Sequence, residues 1–278
     1  MTTGVDAGRV LFARYAYAPN ALGYCGPAGA ATLETVACGG VGAGSAAVDA
    51  VARQFSGAWP YQELLAELAG IDDPLDGRVV RGYWTGNEVT AAVDRARFGR
   101  ELLARLGARA GHYWKYLTDD LLPEAAPTHA FHVFGVYPWT RLLDTGMPQP
   151  MHVLDSCRIR NGVVVALTSQ TATVRSRGLQ FDGRRLALGP LEDRPARRNV
   201  GSGSLVPDLR IGDRVAVHWD LICDRLDADE AGSLEHWTDW QLQQTNPRLG
   251  RFSERPAAGR GSAVGGRRPR VRGVTTVT

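Results

Sequence analysis

The spacing of apolar residues divides this chain into unlike stretches. From Ala28 to Leu122 apolar side chains recur at intervals of three and four, as in Ala46-Val48-Val51-Ala52-Phe55, Leu64-Leu65-Leu68, Val89-Ala92-Val93-Ala96 and Leu102-Leu103-Leu106. That period is the buried face of an α-helix, and breaks at Gly39 to Gly44, Trp59-Pro60, Asp73-Pro74 and Gly107 to Gly111 predict several short helices. Farther on, Thr171-Ala172-Thr173-Val174-Arg175-Ser176 and Leu186-Ala187-Leu188 alternate, which is the period of strands with one buried face. Asn161-Gly162 and Asp182-Gly183 read as tight turns between such strands, so this region predicts a small antiparallel β-barrel.

Three further stretches complete the pattern. His129-Ala130-Phe131-His132-Val133-Phe134-Gly135-Val136-Tyr137-Pro138-Trp139 is apolar and rich in β-favouring side chains, and predicts a strand. A regular strand sends His129 and His132 to opposite faces, which argues against a shared metal. Pro148 to Met151 reads as a linker into the barrel, and Glu230 to Gln244 as a closing helix that contacts the core through Leu234, Trp237 and Leu242 and stops at Pro247. Residues 9–27 predict an ordered turn with aromatic anchors, in which Pro19 ends any helix and Cys25, between Tyr24 and Gly26, is a candidate second site. The expected fold class is α+β multidomain. A mainly α-helical domain over residues 1–148 precedes a barrel with its closing helix over 149–246, then a disordered Arg-rich tail over 247–278 that has too little apolar surface to offset its ordering entropy.

Composition narrows the classes. No apolar run approaches the roughly 18 to 20 residues of a membrane span, and residues 1–14 lack the pattern of a signal peptide, so a cytoplasmic protein without a membrane partner is expected. Four cysteines, Cys25, Cys38, Cys157 and Cys223, show no CxxC spacing and read as reduced thiols. The net charge of +3 is concentrated in the tail, where residues 251–278 hold seven Arg and one Glu, leaving the rest of the chain acidic. An acidic body argues against nucleic acid as the main partner.

The candidate chemistry lies at Cys157 and His218. A thiolate is a soft donor and an imidazole a borderline one, so the pair suits a soft transition metal. Arg158 and Arg160 beside the thiol are expected to favour its thiolate form. Cys223, five residues past His218, is a weaker candidate ligand. Alternatives are a Cys–His nucleophile enzyme, an OB-type interaction module for nucleic acid or a protein partner, and ordinary core burial of both residues.

Cys157, Gly162 and the apolar Val163 to Val165, then Gly212-Asp213-Arg214-Val215-Ala216-Val217-His218, then Leu226-Asp227-Ala228-Asp229-Glu230-Ala231, occur in an order that resembles the [NiFe]-hydrogenase assembly chaperones of the HypC/HupF type. The chain departs from that pattern in its internal Cys, in Asn161 for a usual Pro, in Asp220 for a common Gly, and in a long Arg-rich stretch from Gly189 to Asp208. The resemblance covers residues 151–237 and nothing of residues 1–150. It implies an OB-like barrel in a non-enzymatic accessory protein for hydrogenase maturation. Iron, as Fe(CN)2CO, would be carried transiently through Cys157 with His218, and the partners would be the hydrogenase large-subunit precursor and the iron-loading scaffold. It also implies that Cys157 begins or precedes the first barrel strand, that His218 ends a later one, and that both face a common exposed edge.

Overall fold

The computed structural model describes residues 6–39, 44–107, 117–201 and 203–253, so the tail beyond residue 253 lies outside the described residues. The helical part begins with α1 (Ala7–Ala21), α2 (Ala30–Ala37), α3 (Ser45–Ala52), α4 (Trp59–Ala69), α5 (Gly77–Thr85), α6 (Glu88–Ala92) and α7 (Arg95–Gly107). Local chemistry sets several of their ends. Asp6 caps α1 by accepting from the Arg9 amide at 3.0 Å, Asp76 caps α5 through Arg78, and Pro60 starts α4, which ends on Gly70 at φ 67°. Residues 9–27, expected to be a turn, are thus helical as far as Ala21, with Pro19 inside the last turn and turns and bends only over residues 22–28. Proline is tolerated there because the only helical bond it removes is its own donation to the carbonyl four residues back.

The apolar run after Thr128 is a second correction. It forms α8 (His129–Phe131), a π-helical turn over His132–Val136 and a 3-10 helix over Pro138–Thr145, with no strand. Phe131, Val133 and Phe134 are all fully buried, so the run carries no period that separates a strand from a helix buried on every side. The expected linker is likewise α9 (Pro148–Cys157), with proline in its first turn.

The barrel consists of β1 (Arg160–Leu167), β2 (Thr171–Phe181), β3 (Leu186–Arg197), β4 (Arg214–His218) and β5 (Leu221–Leu226), closed in the order β1-β2-β3-β5-β4. Asp182-Gly183 is a turn, as expected, between β2 and β3. Asn161-Gly162 instead lies within β1, paired with Ala216 and Val215 of β4. Gly162 is needed for close approach, since a Cβ there would sit 2.5 Å from Val174 Cγ1 and 2.8 Å from the Arg175 carbonyl oxygen. β4 and β5 are joined by Trp219 and Asp220, both left-handed at φ 51° and 54°, the geometry of a two-residue type I′ hairpin.

The helix α10 (Ala228–Ser253) closes the structure. Its start is a reciprocal capping box, with the Asp227 amide donating to Glu230 at 3.0 Å and the Glu230 amide donating to Asp227 at 2.8 Å. It does not stop at Pro247. Arg248, 3% exposed, pairs with the equally buried Glu124 and donates to the Phe134 carbonyl at 2.8 Å, so packing carries the helix to Ser253 through the first residues of the expected tail. Helices and barrel share one apolar core. Asp224 of β5 is buried against the helical part, where it accepts from Tyr15 at 3.2 Å and pairs with Arg81 of α5.

Candidate metal centre

Cys157 is the last residue of α9 and precedes β1, and His218 is the last residue of β4, the chain positions the sequence suggested. Their setting is not the exposed edge expected of them. Cys157 is 7% and His218 1% exposed, and both line a cavity of about 500 Å³ between the helical part and the barrel. The helices cover this end of the barrel, and they add a residue that strand reasoning had set aside. His129, from α8, comes together with Cys157 and His218 so that one donor atom from each lies within 4.8 Å of the others.

Second partners orient the imidazoles. The His218 Nδ1–H donates to the Tyr15 carbonyl at 2.8 Å. Because a carbonyl only accepts, the proton is on Nδ1 and Nε2 carries a bare lone pair, which has no partner although buried. That carbonyl is available for a physical reason: in α1 its helical donor would be the amide of residue 19, which is proline. His129 Nδ1 lies 3.0 Å from the Tyr83 hydroxyl, which is 2.6 Å from the Gly57 carbonyl, and its Nε2 lies 2.9 Å from the Cys157 carbonyl. A proton on Nε2 bonds the Cys157 carbonyl. A proton on Nδ1 bonds Tyr83, whose own proton bonds Gly57, and leaves Nε2 free for a metal, the outer-shell pattern of metal-bound histidines.

Burial dominates the titration of these groups. It pushes the Cys157 thiol well above its usual range, reinforced by Cys25, while the Trp219 indole works toward the thiolate. Burial likewise depresses His218 and His132 to about 4, and holds His129 well below the usual imidazole range with help from His218 and His132. Arg158 and Arg160 do not supply the expected thiolate stabilisation. Arg158 is turned to Asp155 at 3.0 Å and to the Arg177 carbonyl, and Arg160 to Asp220 at 3.2 Å.

The other candidates fall as follows. Cys25 is half-buried on the wall of the same cavity, its thiol raised to about 11 by burial, but outside the three-residue set. Cys223 is not brought to the cluster; its thiol is fully buried against the Ala216 carbonyl at 3.4 Å. His132 joins the cavity because the π-helical turn, closed by the Tyr137 amide on the His132 carbonyl at 2.8 Å, keeps its ring 5.9 Å from that of His129. The opposite-face expectation for these two histidines therefore fails together with the strand. The nearest sequence signal for His129 was a histidine in an apolar run, and only the helical fold brought it to Cys157 and His218.

Three convergent soft and borderline donors, Cys157 Sγ and the two imidazoles, bordering open space form a set that could hold a transition metal with positions to spare. A tetrahedral ion with bonds of about 2.0–2.3 Å places donors roughly 3.5 Å apart, so these need close by only about an ångström. Fold and site thus define a helical layer closed over a five-strand barrel, with a buried His–Cys–His set on the seam. The chain belongs to a family of unknown function (DUF6390), matched over residues 4–252. No curated protein and no solved structure matches it. Among the described residues no helix is long and apolar enough to cross a membrane.

Proposed function

We propose that this protein is a cytoplasmic assembly factor for a metal centre, acting in [NiFe]-hydrogenase maturation in the manner of the HypC/HupF-type chaperones it resembles. Its cargo is iron, as the Fe(CN)2CO unit, received from an iron-loading scaffold and delivered to the large-subunit precursor. The observation that carries this reading is the convergence of Cys157 and His218, from the residue before the barrel and the last residue of β4, on one cavity. A cargo held by few protein ligands in an open cavity can leave, whereas a closed four-ligand site would retain it. The barrel is read as OB-like; the closed order β1-β2-β3-β5-β4 with a parallel β3–β5 contact supports this. The raised Cys157 thiol speaks against a Cys–His nucleophile, which needs a thiolate near neutral pH.

The test is affinity capture of the tagged full chain from cells expressing hydrogenase structural and maturation genes. Large-subunit precursor and iron should co-purify with the wild type. Cys157→Ser should lose both while keeping its circular dichroism, and His218→Ala should reduce the iron load. Undiminished capture and iron in a folded Cys157→Ser protein would overturn the proposal.

A further inference from the structure

The cavity is much larger than one ion, and what lines it is informative. Its wall includes Tyr24, Phe55, Tyr83, Trp84, Tyr137, Trp139 and Trp219 and, among the described residues, no Asp, Glu, Lys or Arg. A divalent cation held by one thiolate and two neutral imidazoles keeps a formal charge of about +1, and an uncompensated charge in such surroundings is costly. Among the described residues the wall supplies no carboxylate to cancel it. It does supply a donor: the indole N–H of Trp139, on this wall, is buried without a hydrogen-bond acceptor, while the Trp219 indole turns to the Cys157 sulfur. Unsatisfied buried donors are uncommon and mark places where an acceptor belongs. The bare, buried Nε2 of His218 marks the cation's own place in the same way.

We propose that His129, Cys157 and His218 together hold a single soft or borderline divalent cation, and that its open position is filled by a small anion whose free end accepts from the Trp139 indole. The assignment goes beyond the assembly role, because it concerns a property of the isolated chain and requires no hydrogenase partner. Binding displaces the Cys157 thiol proton to solvent. It also places the His129 proton on Nδ1, where it donates to the Tyr83 hydroxyl oxygen while the Tyr83 proton donates to the Gly57 carbonyl. His129 belongs to the helical part and the other two ligands adjoin the barrel, so the metal bridges the two.

The experiment is anaerobic titration of the reduced, chelator-treated full chain with Co2+, followed by azide. One Co2+ per chain should bind, with thiolate-to-cobalt charge transfer in the near ultraviolet and the intense visible bands of a four-coordinate ion, and azide should shift those visible bands. Cys157→Ser should remove the charge-transfer band, whereas Cys25→Ser and Cys223→Ser should keep it. His129→Gln should weaken Co2+ at least about tenfold, and Tyr83→Phe, which loses only an outer partner, about 10- to 100-fold. Trp139→Phe should leave Co2+ affinity unchanged and weaken azide severalfold. Loss of the band in Cys25→Ser, or full affinity in a folded His129→Gln protein, would overturn the ligand set. Visible bands indifferent to azide, or azide affinity unchanged in Trp139→Phe, would overturn the anion. Failure to capture a hydrogenase precursor changes none of these outcomes, and failure to bind Co2+ leaves that capture to be judged separately.

Discussion

Replacing Pro19 by alanine tests the link between helix chemistry and the site. Pro19 lies in the last turn of α1, and the carbonyl it leaves without a helical donor, that of Tyr15, accepts from His218 at 2.8 Å. Alanine restores the amide at position 19 and offers that carbonyl a second donor. The stability terms oppose one another. Removing proline from a helix interior gains up to about 3 kcal/mol, less in a final turn, but an unfolded chain without proline gains freedom worth about 0.4–1 kcal/mol. A displaced, buried His218 Nδ1–H then costs about 1–3 kcal/mol. These nearly cancel, so the melting temperature should move little. The site should respond much more, because His218 loses the bond that keeps its proton on Nδ1 and its Nε2 bare. Loss of such an outer partner lowers metal affinity about 10- to 100-fold, or about 1.4 to 2.7 kcal/mol. Calorimetry of unfolding and Co2+ titration on the same preparation separate the two effects. Unchanged Co2+ affinity in Pro19→Ala would show that the carbonyl serves both donors and would refute the claim that proline at this position frees it for the histidine.

Two further predictions concern stability. His132 and His218 titrate near 4 in the folded chain, below the ordinary imidazole value, because burial disfavours the cation. Their neutral forms therefore contribute stability that is full above the unfolded value of about 6.5 and is lost as pH falls from there toward 4, by about 3 kcal/mol per imidazole. Urea unfolding at pH 7 and pH 4.5 should show a steep loss that is reduced in His132→Gln; an equal loss in that variant would exclude His132 as a source. Ending the chain after Asn246 removes Arg248 and strands the buried Glu124 charge, which should cost about 3–5 kcal/mol in chemical denaturation. An unchanged midpoint would show that residues 247–253 contribute nothing to the fold.

Periodicity and turn chemistry, both local, were legible in the chain itself. The helical spacing up to Leu106, the alternation in β2, the Asp182-Gly183 turn and the closing helix through Glu230 to Gln244 each depend on residues a few positions apart, so sequence alone determines them. Cys157 and His218 were legible as candidates for the same reason, through residue type and place in a pattern. Long-range packing decided the rest. The run after Thr128 has β-favouring composition, yet it is helical, with Phe131, Val133 and Phe134 buried among α5, α9 and α10, and that reversal brought His129 to the site. Pro247 has the local signature of a helix stop, yet a buried ion pair between residues 124 positions apart carries α10 past it. The charge environment of Cys157 followed the same rule. Its arginine neighbours in sequence turn to other partners, while its environment in space is apolar, with histidines and a second thiol contributed by distant segments. A residue's own chemistry is carried by the sequence, but protonation and coordination depend on burial and on what lies within a few ångströms, and only the folded chain determines those.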